Sequence, residues 1–281
     1  MNYVHSYHAG NFCDVVKHVC LIALLESLQK KTAPFCYIDT HAGAGVYDLF
    51  SEFSAKTKEY ENGIEKIIRH DNPPPLIKKY LNIVHTINNK LTDSKMSSLR
   101  YYPGSPMIAR EMLRDNDRIV ACELNHDVYQ SLKNNFLGDN QIAIHRTDGF
   151  NGLKAFLPPN ERRGLILIDP PYEDPDEFTH IARMLPIALR RFETGIFAIW
   201  YPIKEQNHVE KFHKAIKMNI DKPVFTIELT VYPDIPQHLN GCGLAIINPP
   251  WKFDETIKNN LFWAWKALSF NGQGSLQTTS L

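Results

Sequence analysis

The segment most suited to chemistry is an apolar strand pattern that ends at a carboxylate, two prolines and an aromatic ring. Residues 164–172 have the sequence Gly-Leu-Ile-Leu-Ile-Asp-Pro-Pro-Tyr, which predicts a buried strand that stops at Asp169. The Asp169 carboxylate and the Pro170 carbonyl are acceptors for the N–H groups of an exocyclic amine, and Tyr172 offers a flat face for its ring. The pattern indicates a site that holds a planar amino group while an electrophile delivers a methyl group.

Adenine is a base that this chemistry suits. Its N6 amine is a poor nucleophile because the lone pair is delocalised into the ring. Hydrogen bonds to Asp169 and Pro170 would raise the electron density on nitrogen, and Asp169 could accept the released proton. Tyr172 would stack on the base and hold it for in-line attack. The alternative is a strand that merely ends in a rigid proline turn. The position of Asp169 favours a catalytic site over a structural turn, because ligands of open α/β sheets bind beyond the carboxyl ends of the strands.

Three further motifs follow predicted strands and could bind a nucleotide-like cofactor. The loop of residues 39–45, Asp-Thr-His-Ala-Gly-Ala-Gly, permits a tight turn and close backbone approach to a ligand, although an ordinary tight turn is the alternative. Glu123 ends the next strand, where an acid would bind ribose hydroxyls. Asp148 and Gly149 follow the third strand and would face the adenine of the cofactor. A helix N-cap at Asp148 is the equally weighted alternative.

One other segment has a similar sequence. Asn248-Pro249-Pro250-Trp251 matches an amino-methyltransferase signature. It ends the seventh predicted strand, which is too far along the chain to follow the cofactor strands in order. We therefore interpret it as a structural turn.

Alternating strand and helix patterns position these motifs. Apolar runs predict seven strands, at residues 35–39, 118–122, 142–145, 165–169, 196–200, 224–231 and 244–248. Helical patterns are predicted at residues 15–30, 106–114, 127–135, 150–156, 175–191, 205–218 and 253–268. This alternation predicts an α/β fold with a mostly parallel sheet, the outline of a Rossmann-like class I S-adenosylmethionine-dependent methyltransferase. The last two strands are expected to form an antiparallel hairpin at the sheet edge, and the polar tail of residues 271–280 is expected to be loose.

The distance between the glycine loop and Glu123 predicts an insertion. A strand-ending acid normally follows such a loop by about 20 residues, but here none appears until Glu123. We place a helical subdomain at residues 48–98, inside a single methyltransferase domain of residues 1–281. Helical periodicity in residues 63–70 and 76–91 supports this interpretation.

Composition and charge exclude several classes of protein. The 281 residues carry 31 basic and 31 acidic side chains, so a nucleic-acid substrate would need local basic patches. Such charge clusters are more often solvated helix ends. No apolar stretch could span a bilayer and no secretion signal is evident, which predicts a cytoplasmic protein. Five cysteines without a CxxC pair and histidines without ligand spacing predict reduced thiols and no metal site. The candidate patches are Lys30-Lys31, Arg162-Arg163, Arg190-Arg191 and the cluster His5, His8, Lys17 and His18.

Four motifs together resemble the RlmJ family of bacterial 23S ribosomal RNA adenine-N6 methyltransferases. They are residues 5–11 (His-Ser-Tyr-His-Ala-Gly-Asn), 39–45, 101–106 (Tyr-Tyr-Pro-Gly-Ser-Pro) and 162–172. The resemblance covers nearly the whole chain and is specific in combination, whereas Asp-Pro-Pro-Tyr alone indicates only amino-group methylation. It implies a Rossmann-like methyltransferase with a helical insertion, which acts on protein-free RNA without an obligate protein partner. We expect a monomer.

The resemblance also implies roles for individual residues. Asp169 would be the proton acceptor, and Tyr3 would lie near the RNA substrate. Without the resemblance, His18 would be taken for a surface helix histidine, and Ser105 for the N-cap of a helix with Pro106 at its first position. The residues expected at S-adenosylmethionine are Lys17, His18, His41, Gly43, Ser105, Glu123, Asp148 and Gly149.

The sequence therefore predicts methylation of an adenine N6 in 23S ribosomal RNA, with the base splayed out of the stack. A related enzyme that methylates adenine in DNA, or the amide of a protein glutamine, would use the same strand end and stays open as an alternative. A non-catalytic nucleic-acid-binding protein linked to DNA use is a second alternative. The intact glycine loop, Glu123 and Asp169 disfavour it.

Overall fold

The computed structural model describes residues 4–92 and 98–281. The described strands are β1 (Cys36–Asp39), β2 (Val46–Asp48), β3 (Tyr101–Pro103), β4 (Arg118–Cys122), β5 (Ile142–His145), β6 (Gly164–Ile168), β7 (Ile196–Ile203), β8 (Val224–Thr230), β9 (Gly241–Ile247) and β10 (Ser275–Ser280). The described α-helices are α1 (Phe12–Gln29), α2 (Glu52–Thr57), α3 (Ile64–Arg69), α4 (Pro75–Leu91), α5 (Ser105–Met112), α6 (His126–Asn135), α7 (Gly149–Phe156), α8 (Glu177–Arg191), α9 (Gln206–Asn219) and α10 (Phe253–Leu268). Short 3₁₀ helices cover His5–Tyr7 and Glu59–Asn62.

The main sheet has the strand order β10-β8-β9-β7-β6-β1-β4-β5. The five strands from β7 to β5 are parallel, so their carboxyl ends lie along one edge. β9 is antiparallel to both β7 and β8, and β10 is antiparallel to β8. This is the predicted α/β outline of a class I methyltransferase, and all seven predicted strands are present within a few residues of their expected bounds.

Two details of the predicted sheet are wrong. The tail that was expected to be loose contains β10, so the sheet formed by the described residues has eight strands and not seven. β8 and β9 are an antiparallel pair as predicted, but they do not form the edge, because β10 covers β8. β10 is held by main-chain pairing, and most of its polar side chains remain exposed, so apolar periodicity gave no signal for it.

Helices cover both faces of the sheet. One face packs against α1, α5 and α10, with α4 outside them on α1 and β3, and the other face packs against α7, α8 and α9. Helix α1 is buried on nearly its whole surface, because the sheet covers one side while α4, α5 and α10 cover the others. A helix that is covered all round is apolar all round, so its few polar side chains need internal partners.

In its described residues, the inserted segment consists of a short ribbon and three α-helices. β2 and β3 form a separate two-stranded antiparallel ribbon, and α2, α3 and α4 lie between them along the chain. Helices α3 and α4 match the predicted helical patterns, and apolar residues of α4 join the same core as α1. The division into a domain and an inserted subdomain remains a prediction. All five cysteines are buried free thiols, as expected. No helix in the described part of the chain is long and apolar enough to cross a membrane.

Candidate active site

A cleft of about 700 Å³ opens at the carboxyl ends of the parallel strands. The turns after β1, β4, β5 and β6 all contribute to its walls, and α1 contributes from the side. The cleft is lined by every described residue of the predicted site: Lys17, His18, His41, Gly43, Ser105, Glu123, Asp148, Gly149, Asp169, Pro170 and Tyr172. Tyr3, which was predicted to lie near the substrate, falls outside the described residues.

Asp169 follows β6 and is held by a lysine from α1. The Lys17 ammonium lies 2.6 Å from Asp169 Oδ2 and 2.9 Å from Asp14 Oδ1. Burial would lower the pKa of Lys17, but the two carboxylates hold that pKa well above its ordinary value. Among the described residues no group donates to Asp169 Oδ1. One carboxylate oxygen is therefore fixed by Lys17, while the other can accept a hydrogen bond from a ligand.

Asp14, the second carboxylate bound by Lys17, is itself held by two further groups. Its Oδ2 accepts the main-chain N–H of Gly10 at 2.9 Å and lies 3.1 Å from His5 Nε2. Burial opposes ionisation, yet Lys17 and then His5 hold the pKa of Asp14 well below its ordinary value. Asp14 and Lys17 are three residues apart and thus on one side of α1, where such a pair can form.

The Tyr172 ring forms part of the cleft wall next to Asp169. Its hydroxyl donates to the Trp200 carbonyl at 2.6 Å, and its ring lies 4.9 Å from the ring of Phe178. Tyr172 has φ +51°, in the left-handed region that costs a non-glycine residue about 1–2 kcal/mol. The turn after Asp169-Pro170-Pro171 takes this conformation, and the hydroxyl contact anchors the ring at the cleft.

The glycine loop after β1 is joined to the end of β4. Gly43 adopts φ +63°, and a Cβ atom there would lie 2.2 Å from the Tyr47 hydroxyl, so only glycine fits. The Gly43 N–H donates to Glu123 Oε2 at 3.1 Å, and the Asn125 N–H donates to Oε1 at 2.8 Å. Burial raises the pKa of Glu123. Each Glu123 oxygen keeps a second lone pair for hydroxyl donors of a ligand.

Asp148 and Gly149 bring the start of α7 against the loop after β1. Asp148 is the N-cap of α7 and accepts the Asn151 N–H at 2.9 Å, so the capping interpretation is confirmed. A Cβ atom on Gly149 would lie 2.3 Å from the Thr40 carbonyl oxygen. Glycine is required here because the two loops meet, and the cleft wall between them depends on that contact.

The two predicted histidines both lie in the cleft wall, where His18 is buried and His41 is half-buried. His18 Nδ1 lies 2.8 Å from the Tyr102 hydroxyl, and burial lowers the pKa of His18 to about 3. His41 Nδ1 lies 2.8 Å from Thr40 Oγ1, and burial lowers its pKa to about 4. Both imidazoles are thus neutral at pH 7. His18 is not the surface helix histidine that its sequence context indicates.

Ser105 lines the cleft, and its predicted contact with the cofactor stays a prediction, but it is not the helix N-cap that its position before Pro106 indicates. Gly104, not Ser105, is the N-cap of α5, and Ser105 is the first helical residue. The Ser105 hydroxyl donates to Asp39 Oδ2 at 2.7 Å, which also accepts from the Tyr37 hydroxyl at 2.7 Å. Burial raises the pKa of Asp39, against these hydrogen bonds. The hydroxyl is therefore used to stabilise a buried carboxylate at the end of β1 and cannot serve as a cap.

The similar segment that follows β9 lies at the other end of the sheet. Because β9 is antiparallel to β7, its last residue Ile247 pairs with Phe197 near the start of β7. The Asn248 amide donates to the carbonyls of Glu193 and Gly195, and Trp251 is largely exposed. This geometry fits the predicted structural turn.

Sequence reasoning missed several groups that line the cleft or bind its lining residues from behind. Asp14 and Tyr102 were not selected, although the spacing of Asp14 and Lys17 on a helix was a usable signal for an ion pair. Tyr80, Tyr102 and Asp39 gave no such signal, because their hydrogen-bond partners lie far away in the chain. The separation is 22 positions for Tyr80 and Tyr102, 84 for His18 and Tyr102, and 66 for Asp39 and Ser105.

The cleft fits a nucleoside-type cofactor with a charged amino-acid tail. Its walls carry the carboxylates Glu123 and Asp148, which can accept from hydroxyl and amino donors, and a buried imidazole nitrogen. His18 Nε2 is buried and has no partner among the described residues. An unpaired buried polar group costs about 1–3 kcal/mol, which a bound ligand would recover.

Sequence comparisons identify relatives along nearly the full chain. The profile of the family described as "Ribosomal RNA large subunit methyltransferase D, RlmJ" matches residues 32–280. The chain is 40% identical over 275 residues to ribosomal RNA large subunit methyltransferase J of Escherichia coli (strain K12), with 98% of this chain and 96% of that protein covered. The protein of the same name from Haemophilus influenzae is 40% identical over 276 residues, with the same coverage.

Solved structures give the same picture of the fold. A crystal structure of a protein from Legionella pneumophila is 38% identical, with a TM-score of 0.86 over 97% of this chain and 98% of that one. A probable spermidine synthase from Corynebacterium glutamicum has a TM-score of 0.51 at 8% identity, which shows a shared fold alone.

Proposed function

This chain belongs to the RlmJ family of ribosomal RNA large subunit methyltransferases, and we propose that it transfers a methyl group from S-adenosylmethionine to the N6 amine of an adenine in 23S ribosomal RNA. The observation that carries the proposal is the strand end after β6. There the Asp169 carboxylate, fixed by Lys17 at 2.6 Å, stands beside Pro170 and the Tyr172 ring in one cleft with the glycine loop.

Asp169 and Pro170 prepare the amine for attack. Oδ1 of Asp169 and the Pro170 carbonyl accept one N–H each from the exocyclic amine, so electron density moves onto nitrogen. S-adenosylmethionine, when bound, would supply an electrophilic methyl group, and its carbon–sulfur bond would break so that the sulfur leaves as a neutral thioether. Asp169 accepts the proton that nitrogen loses as its bond to the methyl carbon forms, and a methylated ammonium is acidic enough for a carboxylate to do this.

Tyr172 and Lys17 position the reacting groups and do not transfer a proton themselves. Tyr172 stacks on the target base, with its ring held by the contact between its hydroxyl and the Trp200 carbonyl. Lys17 keeps the Asp169 carboxylate in one orientation, because it is itself fixed by Asp14. A base that enters this cleft must leave its stack, since Asp169 is only 15% exposed in its side chain.

The remaining predicted residues hold the cofactor. Glu123 accepts from ribose hydroxyls, and Asp148 accepts from the adenine amino group through the oxygen that does not cap α7. Gly43 and Gly149 allow the loops of the cofactor wall to pack closely, against Tyr47 and Thr40 respectively, and the His41 ring lies beside Gly149. Ser105 acts through Asp39, which it donates to. His18 and Lys17 stand on the α1 side of the same cleft.

The face formed by α8 and α9 supports an RNA substrate despite the zero net charge. These helices carry Arg183, Arg190, Arg191, Lys211, Lys214 and Lys217 against Glu177 and Glu210. A groove of about 620 Å³ between them is lined by Arg183, Arg190 and Lys211, none of which forms an ion pair within the described ranges. Phe178 lines this groove and contacts Tyr172, so the groove begins beside the base site. Unpaired cations at this position fit the phosphates that flank a splayed base.

The other predicted basic pairs support RNA binding less. Arg163 donates to the carbonyls of Ala33 and Leu28, and Arg191 donates to the Leu157 carbonyl. These guanidinium groups are therefore engaged with the protein itself. We further propose that the chain acts as a monomer on free RNA, as one methyltransferase domain with residues 48–98 as its helical insertion.

A substrate panel tests the proposal. Methyl transfer from labelled S-adenosylmethionine is measured on unmodified 23S RNA, on DNA of the same sequence and on a glutamine-containing protein substrate, with nucleoside analysis of the product. The expected result is N6-methyladenosine in the RNA at one position. Label in DNA or protein would keep the fold and the chemistry but reject the substrate. Cofactor binding without transfer to any of the three would reject the proposed activity.

A further inference from the structure

Two lysine side chains line the cleft, and they differ in their surroundings. Lys17 is buried and is bound by Asp14 and Asp169. Lys204, which directly follows β7, is exposed. Among the described residues, none of the carboxylates of the cleft lies within ion-pair distance of Lys204, and no group forms a hydrogen bond with it. The Lys204 ammonium is therefore available to an anionic group of a ligand.

The register of the parallel strands places Lys204 outward from the site of the target amine. Ile168 of β6 pairs with Ile199 of β7, so Asp169 is level with Trp200. Lys204 follows Trp200 by four residues, which is about 13 Å along the strand direction. Side chains alternate between the two faces of a strand, so Trp200 and Lys204 share one face, and both line the cleft. Lys204 thus lies between the Asp169 carboxylate and solvent, at the mouth of the cleft.

The N-terminal 3₁₀ helix supplies a second group at this mouth. His8 directly follows that helix and also lines the cleft. The hydrogen bond with Glu59 raises the pKa of His8, and the charge of Lys204 acts against that rise. Lys204 and His8 come from distant parts of the chain but are close enough for their charges to interact. A base that enters the cleft toward Asp169 passes these two groups.

The anion that reaches this mouth is expected to be a phosphate of the substrate strand. A base that is turned out of its stack stays joined to the strand, so the base and the ribose separate its N6 atom from the two flanking phosphates. With the amine at Asp169, both phosphates lie outward, in the direction of Lys204. The cofactor is expected farther along the sheet, because β7 and β4 are three strand positions apart, about 14 Å.

We propose that Lys204 binds one of the two phosphates that flank the target adenine and thereby holds the turned-out nucleotide in the cleft. This inference rests on the proposed methylation of RNA. A lysine binds phosphate as a point charge, so the contact depends on the charge of the phosphate and not on base sequence. The groove between α8 and α9 continues from this position, because α9 begins at Gln206 and carries Lys211 in the wall of that groove.

Single neutral linkages in the RNA test the inference. The probe is 23S RNA into which a synthetic segment around the methylated adenine has been ligated, with a methylphosphonate in place of either flanking phosphate. On the RNA with both phosphates, Lys204→Met should lower kcat/KM about tenfold, as expected for the loss of one hydrogen bond between charged groups. In the wild-type chain, one of the two neutral linkages should cause a similar loss. In Lys204→Met, that linkage should cause a further loss of no more than about twofold, because its partner is already absent.

Two controls separate phosphate binding from damage to the fold or to the cofactor site. Lys78→Met removes an exposed lysine of α4 that does not line the cleft, and this variant should respond to the neutral linkages as the wild-type chain does. Lys204→Met should bind S-adenosylmethionine with a Kd within about twofold of wild type. Its free energy of unfolding should stay unchanged, because the Lys204 side chain is exposed.

Several results would overturn the inference while leaving the proposed function intact. They are equal losses in Lys204→Met and Lys78→Met, a neutral linkage that affects Lys204→Met as much as the wild-type chain, and a wild-type chain that is insensitive to both linkages. A parallel loss of affinity for S-adenosylmethionine in Lys204→Met would also overturn it, because the lysine would then belong to the cofactor site. A wild-type chain that transfers no methyl group to 23S RNA would overturn the proposed function itself, and this inference with it.

Discussion

The Lys17 ammonium lies 2.6 Å from the Asp169 carboxylate, although 152 positions separate the two residues in the chain. Lys17 is also bound by Asp14 on its own helix at 2.9 Å. The buried helix α1 therefore sets the orientation of the carboxylate at the end of β6. In the proposed reaction, α1 determines which oxygen of Asp169 is available to the target amine.

Loss of the Lys17 charge should lower both the free energy of unfolding and the turnover number. Lys17→Met keeps the length of the side chain but leaves Asp14 and Asp169 without their cation. Removal of one partner from a buried ion pair costs about 3–5 kcal/mol, so the free energy of unfolding in urea should fall by that order. The turnover number should fall at least tenfold, because Asp169 is no longer oriented.

The control for this variant is Lys79→Met. Lys79 lies 2.7 Å from Glu26, but both side chains are more than one-third exposed. Exposed pairs contribute about 0–1 kcal/mol, so this variant should keep wild-type activity and nearly wild-type stability. Equal effects of the two substitutions would contradict the role given to Lys17.

Tyr172 should act through its ring more than through its hydroxyl. Tyr172→Ala removes the surface for base stacking, which is worth about 1–3 kcal/mol per base, so kcat/KM should fall about ten- to hundredfold. Tyr172→Phe loses only the hydrogen bond to the Trp200 carbonyl and should stay within about tenfold of wild type. Steady-state kinetics on the RNA substrate would measure both. A phenylalanine variant as poor as the alanine variant would argue against stacking.

The salt dependence of RNA binding should depend on the α8–α9 groove. Arg183→Ala combined with Lys211→Ala should make the slope of log K against log salt shallower by about 1.4–1.8, as expected for two lost phosphate contacts. The control pair is Lys78→Ala with Lys258→Ala, on exposed positions of α4 and α10 outside the groove. Fluorescence anisotropy with a labelled RNA fragment would give the slopes. The same slope in both double variants would remove the groove from the RNA surface.

Neutral His18 should make the fold sensitive to mild acid. Its pKa is lowered to about 3 in the folded chain, against 6.5 in the unfolded chain, so only the unfolded chain takes up a proton between these values. The stabilisation is therefore fully present above pH 6.5 and is lost as pH falls toward 3. By pH 5 the loss is about 2 kcal/mol from this residue. Urea unfolding at pH 7 and pH 5 should show a smaller loss in His18→Gln than in wild type, and an unchanged loss would contradict the buried neutral state.

Patterns in the sequence predict those parts of the fold that rest on apolar burial. β6 is buried at every position, and its sequence is correspondingly apolar, so both its bounds and its end at Asp169 are predictable. β10 has the opposite character. Its side chains Gln277, Thr278 and Thr279 are exposed and its pairing with β8 uses main-chain groups, which leave no trace in side-chain periodicity.

Some residues of the candidate site can likewise be predicted from the sequence, and others cannot. Residues that follow strands, such as Glu123 and Asp148, are predictable because the sheet brings strand ends together. The partners of Asp39 and His18 are not, since Ser105 and Tyr102 reach them only through the folded chain. Ser105 is an example of a residue whose local sequence is misleading. Its position before Pro106 is typical of a helix N-cap, but its hydroxyl donates to a buried carboxylate that needs a donor.

The most direct test of the proposed reaction is methyl transfer to unmodified 23S RNA by Asp169→Asn, compared with wild type at equal occupancy by S-adenosylmethionine. The substitution keeps the size of the side chain and one oxygen acceptor but removes the group that accepts the proton. We predict that the turnover number falls about 10²–10⁴-fold while the Kd of the cofactor stays within a few-fold of wild type. Turnover by Asp169→Asn at the wild-type rate would contradict the assignment of Asp169 as the proton acceptor.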